Sequence, residues 1–398
     1  MQRRSILLVA GMMLSCAMGA SASEDATVAA ADEWHMFRGN PQLTGVYNGS
    51  LPAALSVRWR FHATDAISST AAIKDGTVYV GCEDGSLLAL ALSDGKLRWK
   101  RESESIVQSS PAVRDNTVYF GDDDGVFHAL NTENGATRWT FQTEGQLISS
   151  PNVVEDRVFF GSYDAHLYCL DARDGTLLWK FKTDGRIHGT PGYVDGRVLV
   201  AGCDEKLHVL MLADGRETGH VSMGSVSGAS AAVAGDRVFV GTYANQVRGF
   251  DWKQLKAAWV FEDPQRQFPF MASAAVSAKS VVIGGRDKKV RSFAPDTGEV
   301  LWTFNAKGRV DSSAVLVGDR VFVGTSDGNL YELDLHSGRE VWRFETGSAI
   351  TASPAVAAGT LVIGTLDAAL YCFGSASEAK QPEYERKPRR ESNAGEQQ

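Results

Sequence analysis

Hydrophobic positions along this chain fall in short runs of four or five residues, bounded by turn residues. One stretch shows the plan. Residues 69–73, 77–80, 86–90 and 96–100 are rich in β-branched, aromatic or small side chains. The pairs Asp75-Gly76, Asp84-Gly85 and Asp94-Gly95 separate them. Asp and Gly tolerate the left-handed angles of tight hairpin turns. The pattern therefore predicts four short antiparallel strands joined by hairpins.

The same plan returns at a fixed interval. Trp59, Trp99, Trp139 and Trp179 are 40 residues apart, and Gly219 occupies the next slot. Trp259 restores the step, then Trp302 follows after 43 residues and Trp342 after 40. Between them a second text repeats: Ser109-Ser110-Pro111-Ala112-Val113 becomes Ser149-Ser150-Pro151-Asn152-Val153 and, last, Ala352-Ser353-Pro354-Ala355-Val356. A period of this size means stacked or radial repeats. Four antiparallel strands repeated radially make an all-β, eight-bladed β-propeller. The eighth unit ends at Leu370-Tyr371-Cys372-Phe373 with no Trp strand after it. Val57-Arg58-Trp59-Arg60-Phe61 stands before the first unit with no blade of its own. It is expected to close the last blade, so that the ring has no open edge.

The resulting division is residues 1–22, 23–56, 57–374 and 375–398. In the first, Arg3 and Arg4 precede an apolar run, and Ala20-Ser21-Ala22 gives a cleavage site. That is a secretory signal peptide, which places the product in the periplasm. Met13-Leu14-Ser15-Cys16 keeps a second route open, an outer-membrane lipoprotein with lipid on Cys16. Residues 23–56 form a leader, 57–374 the propeller, and 375–398 a polar tail with little to bury, expected to be disordered.

The formal net charge is −8, and removal of Arg3 and Arg4 makes the product more acidic still. A nucleic-acid partner would want a basic surface, so none is expected. Cys82 and Cys203 sit in hairpins, while Cys169 and Cys372 share one slot in non-adjacent units. Such positions are too far apart for a disulfide, so free thiols are expected. Cysteine and histidine spacing shows no metal site.

The strands leading to each Trp carry a family resemblance. Leu90-Ala91-Leu92-Ser93-Asp94-Gly95-Lys96-Leu97-Arg98-Trp99 and Phe293-Ala294-Pro295-Asp296-Thr297-Gly298-Glu299-Val300-Leu301-Trp302 resemble the Trp-docking motif of pyrroloquinoline quinone (PQQ) repeats. These belong to the quinoprotein alcohol dehydrogenase-like superfamily. Within it, the length, signal and single domain look most like the outer-membrane assembly factor BamB and its relatives. The segment from Trp34-His35-Met36-Phe37-Arg38-Gly39-Asn40 through Thr44-Gly45 resembles the leader of exported proteins of this kind. The resemblance implies structural docking by Trp59, Trp99, Trp139, Trp179, Trp259, Trp302 and Trp342 between blades. It also implies where catalysis would lie. Quinoprotein dehydrogenases add a disulfide between neighbouring cysteines, a Ca²⁺ held by Glu, Asn and Asp, and an Asp base. This chain has no Cys-Cys pair and no long insertion. No cofactor and no catalytic residue are therefore expected, PQQ with Ca²⁺ being the alternative.

Function is then sought where one unit departs from the rest. Gly324-Thr325-Ser326-Asp327-Gly328 matches a nucleophile elbow, but its hairpin register reads as a turn. Asp122-Asp123-Asp124-Gly125 suggests Ca²⁺, yet the Asp of Asp124 recurs in most units and serves the hairpin. The slot before each Ser-Ser-Pro-like run does vary: Ser68, Gln108, Ile148, His188, Gly228, Met271, Asp311 and Thr351. Gln108, His188 and Asp311, with Arg186 and Arg309 nearby, form a candidate channel-mouth site for a small polar ligand or peptide. A solvated channel without a ligand is the favoured alternative for the same residues. The longer loop with Phe268, Pro269, Phe270 and Met271 is a candidate partner contact. Alternatively, it is only a loop folded over the channel. The partner-contact motifs of BamB would fall on Gly224-Ser225-Val226-Ser227 and on Pro269-Phe270-Met271, and neither matches. The sequence thus points to a monomeric, non-enzymatic scaffold that binds an envelope protein complex. A quinoprotein-like oxidoreductase component and a binder of small ligands or cell-wall fragments are the alternatives.

Overall fold

A computed structural model describes residues 32–265 and 267–376. The signal segment, Cys16 and the tail beyond residue 376 lie outside the described residues. The described chain forms eight blades of four antiparallel strands arranged as a propeller, one sheet gaining a fifth strand from the leader. The first blade is Ala72–Lys74, Thr77–Gly81, Ser86–Ala91 and Leu97–Glu102. Asp75 and Gly76 turn its first hairpin at φ 49° and 65°, in the left-handed region. The hairpin Asp of Asp84, Asp164 and Asp204 accepts the amide two residues on, at 2.9–3.2 Å.

The ring closes as expected. Ser56–His62 pairs antiparallel with Ala369–Gly374, with Val57 opposite Phe373 and Trp59 opposite Cys372. The outer strand of the last blade thus comes from the beginning of the propeller, and neither end leaves an open edge.

One expectation changes. Of each five-residue Ser-Ser-Pro-like run only the last two residues enter the inner strand, which is two or three residues long. Proline has no amide to give a ladder. The hydroxyl residues instead tie neighbouring blades together. The amide of Thr70 donates to Ser110 Oγ, Ser110 to Ser150, Thr190 to Ser230, Ser230 to Ser273, Ser273 to Ser313, Ser313 to Ser353, and Ser353 back to Thr70 Oγ1. These bonds, 2.8–3.1 Å long, run around the channel wall.

At the rim Trp59, Trp99, Trp139, Trp179, Trp259 and Trp302 each cover the turn Gly of the next blade. The indole N–H of Trp59, Trp99, Trp179, Trp259 and Trp302 donates to a carbonyl of that turn at 2.7–2.9 Å. A Cβ on Gly95, Gly135, Gly175, Gly215, Gly298 or Gly338 would lie 2.5–2.8 Å from the Trp ring. The irregular blade obeys the same rule with the sizes exchanged. Gly219 takes the Trp slot, Leu255 takes the Gly slot, and a Cβ on Gly219 would meet Leu255 Cδ1 at 2.2 Å.

The leader runs around one end of the ring. Trp34 pairs with Ile73, and His35 O accepts the Val113 amide. Pro41 O accepts from Tyr193, Gln42 O from Val233, Thr44 O from Val276 and Gly45 O from Leu316. Val46–Tyr47 then pairs in parallel with the strand Val315–Val317. The strap therefore uses amides that the short inner strands leave free. Met36, Leu43 and Trp34 anchor it in the core.

Candidate functional site

The strap makes the channel a cup. Its floor is Phe37 with the hydroxyl ring, and its wall is the eight non-repeating residues expected from the sequence. The cavity measures about 210 Å³. Gln108, His188 and Asp311 all line it, as do Met271 and Ile148. Arg186 and Arg309 stand exposed on the rim rather than in the lining.

Their polar groups are held by neighbours. His188 Nδ1 is 2.7 Å from the Tyr163 hydroxyl, and the Arg186 guanidinium lies 5.1 Å over the Tyr163 ring. Burial, and then the Arg186 charge, lowers the His188 pKa and favours neutral imidazole. Asp311 is ion-paired to Arg286 at 2.7 Å. Gln108 Nε2 reaches Asp123 Oδ2 at 3.4 Å. Burial, reinforced by Asp122, Asp124 and Glu83, raises the Asp123 pKa. The hydroxyls of Ser68 and Thr351 and Asp123 Oδ1 are buried without a hydrogen-bond partner.

Tyr163, Arg286 and Asp123 belong to a second non-repeating rim. Its members are Glu83, Asp123, Tyr163, Cys203, Tyr243, Arg286, Ser326 and Leu366. The amide of each donates to the residue two places before a channel slot, from Glu83 to Ala66 through Leu366 to Ala349. The same rule of irregularity, applied one position before the hairpin Asp, would have found this rim from sequence. It is acidic at Glu83 and Asp123 and basic at Arg286, with Arg186 and Arg309 beside it.

The candidate contact loop divides. Phe268 is 47% exposed, whereas Phe270 is only 1% exposed. Phe270 packs against Gly241, as Val107, Leu147, Ile187, Val310 and Ile350 pack against the matching Gly of their blades. Its position is therefore a core position that every blade fills, and Phe270 is not part of a surface contact. Met271 faces the cup, and half-buried Pro269 stands between. In the other segment aligned with partner contacts, Ser227 is buried and donates its hydroxyl to Gly241 O.

A Ca²⁺-bound quinone does not fit this cup. Asp311 is its one lining carboxylate, and Arg286 already neutralises it. Cys82, Cys169, Cys203 and Cys372 are free and far apart in sequence, so no vicinal disulfide can cover a cofactor. Away from the cup, the fold gathers one potential metal-ligand group among the described residues, His208, Glu217 and His220. Sequence spacing did not reveal it, because a β-bulge sets its geometry.

Comparison with known proteins places the chain. The family model described as outer membrane protein assembly factor BamB matches residues 54–162, 146–222, 164–289 and 286–381. Among solved structures, BamB from Moraxella catarrhalis aligns with a TM-score of 0.71 at 20% identity, covering 81% of this chain and 98% of that one. Quinohemoprotein alcohol dehydrogenase from Comamonas testosteroni aligns at 0.75 with 13% identity, covering 89% and 83%. A computationally designed protein, Ika8, aligns at 0.71 with 18% identity, covering 83% and 99%. At these identities the structural likeness shows the fold. No curated protein matches the sequence.

Proposed function

Because the chain belongs to the family of the outer membrane protein assembly factor BamB, we propose that it is an exported, non-enzymatic propeller scaffold of the bacterial envelope. Its partner docks on the open mouth of the ring and belongs to the machinery that assembles outer-membrane proteins. The observation that carries this reading is the inequality of the two ends. One end is closed by the leader strap, which repeats the same bond from blade to blade. The other end carries the residues that break the repeat. There Ile106, Tyr243, Phe268 and Leu366 are exposed apolar or aromatic side chains. Arg186, Arg309 and Glu83 are interspersed with them. Aromatic anchors within a charged rim are the usual anatomy of a protein-binding surface.

The test is capture from solubilised envelope with the mature chain and with a Phe268→Ser/Tyr243→Ser variant. Both residues are exposed, so the variant keeps the fold. The expected result is enrichment of an outer-membrane assembly complex by the parent, reduced about tenfold or more in the variant. Equal capture by both would remove the mouth as the docking face. Absence of any such complex would remove the scaffold reading.

A second reading rests on Ser68 and Thr351, whose unpartnered hydroxyls point to a small polar ligand in the cup. Binding of a sugar or cell-wall fragment, lost on His188→Ala or Asp311→Ala, would support it.

A further inference from the structure

In the fourth blade the sheet places three ligand-type side chains on one face. The strands Lys206–Met211 and Glu217–Ser222 pair with His208 directly opposite His220. A bulge beside Leu210 then brings Glu217 onto the same face, one position out of the regular alternation. His208 Nδ1 lies 2.7 Å from Glu217 Oε1, and His220 Nδ1 lies 3.0 Å from the same oxygen. All three donor atoms fall within 4.8 Å of one another. The other ring nitrogen of His208, Nε2, is 2.7 Å from Asp204 Oδ2, a nearly fully buried carboxylate.

We propose that His208, Glu217 and His220 bind a divalent transition-metal ion of the zinc class, with Asp204 orienting His208 from behind. Two imidazoles and a carboxylate are a common zinc ligand set, and the nitrogen donors disfavour Mg²⁺ and Ca²⁺. Around a tetrahedral zinc with bonds of about 2.0–2.1 Å, neighbouring ligand atoms stand about 3.3 Å apart. The two histidine–glutamate separations would widen by about 0.3–0.6 Å to reach that value. A histidine ligand whose second nitrogen donates to a carboxylate is the usual outer-shell arrangement of such sites. His220 is half exposed, so a fourth position opens to water.

Comparison between blades sharpens the assignment. His128 occupies the same slot as His208 and also has an Asp partner, Asp122. Opposite it stand Thr137 and Thr140 where the fourth blade has Glu217 and His220. A lone strand histidine therefore recurs without the other ligands. The full set appears only in the blade whose Trp is replaced by Gly219, where an ion would brace the outer strand.

The test uses the untagged, chelator-treated chain, titrated calorimetrically with Zn²⁺ and followed by visible absorption with Co²⁺. One ion per chain is expected, with Co²⁺ giving the intense d–d bands of a four- or five-coordinate site. His220→Ala, Glu217→Gln and Asp204→Asn should each weaken binding about tenfold or more. His336→Ala removes an exposed histidine beside Asp319 and should change nothing. His220→Ala alters a half-exposed side chain, so its fold is retained, and a matching metal-free melting curve checks this. Absence of stoichiometric binding by the parent would overturn the proposal. Undiminished binding by His220→Ala would do the same, leaving the cluster as an imidazolium clasped between two carboxylates.

Discussion

At the scale of single residues, the repeat works by pairing large with small. Six of the seven docking indoles sit on a Gly, and this is why the turn Gly recurs with the Trp. Trp302, 7% exposed and bonded to Leu335 O, illustrates the cost of breaking the pair. Its replacement by Ala should destabilise the fold by about 3–5 kcal/mol, read from denaturant unfolding. The exchanged pair makes a sharper test. Gly219→Trp alone meets Leu255, and Leu255→Gly alone leaves a gap at the blade junction. The double variant rebuilds the standard dock. A double-mutant cycle should therefore show favourable coupling of about 0.5–3 kcal/mol. Additive effects would mean that the two sites are not complementary. Both departures were visible in the sequence, but only as two irregularities; their contact is a tertiary fact.

At the scale of elements, the strands were legible because the hairpin chemistry is local. Asp-Gly pairs and β-branched runs need no distant partner to specify a turn and a strand. The first three residues of each Ser-Ser-Pro-like run lie outside the ladder for the opposite reason. Their hydroxyls bond amides about 40 residues away, a relation that no local rule contains. The leader is the element with the clearest pH signature. Burial, and then the charges of Lys74 and Arg114, lowers the His35 pKa to about 4. Lys74 is itself paired with Glu33 in the strap. The unfolded chain would take up a proton near the ordinary value of 6.5, while folded His35 stays neutral. Stability is thus unaffected above that value and falls as pH drops from about 6.5 toward 4. The full loss is about 3 kcal/mol. His35→Gln should flatten this part of the profile in urea unfolding series at stepped pH. An unchanged slope would assign the acid sensitivity to other groups.

At the scale of the whole molecule, the circle of blades and one end of its channel are closed by different parts of the same N-terminal segment. Residues 56–62 complete the last sheet, and residues 34–47 cover the channel. Removing residues 32–47 while keeping the closing strand should leave a ring whose lower amides face water. Hydrogen exchange would then accelerate at Val113, Tyr193, Val233, Val276 and Leu316, with the outer strands unaffected. Retained protection at those amides would show that the strap is not their principal partner.

The sequence by itself determined the number of blades, the strand plan and the closure of the ring. These follow from a period repeated eight times, so each local signal is read many times over. It also identified the channel slots, because a position that varies within a repeat is conspicuous. The tertiary structure alone decided what lay between units: the hydroxyl ring, the circuit of the leader, the core position of Phe270 and the gathering of His208, Glu217 and His220. Each depends on contacts between distant segments or on a bulge that shifts the side-chain alternation. Periodicity records which positions are alike, and it carries no information about which unlike positions touch.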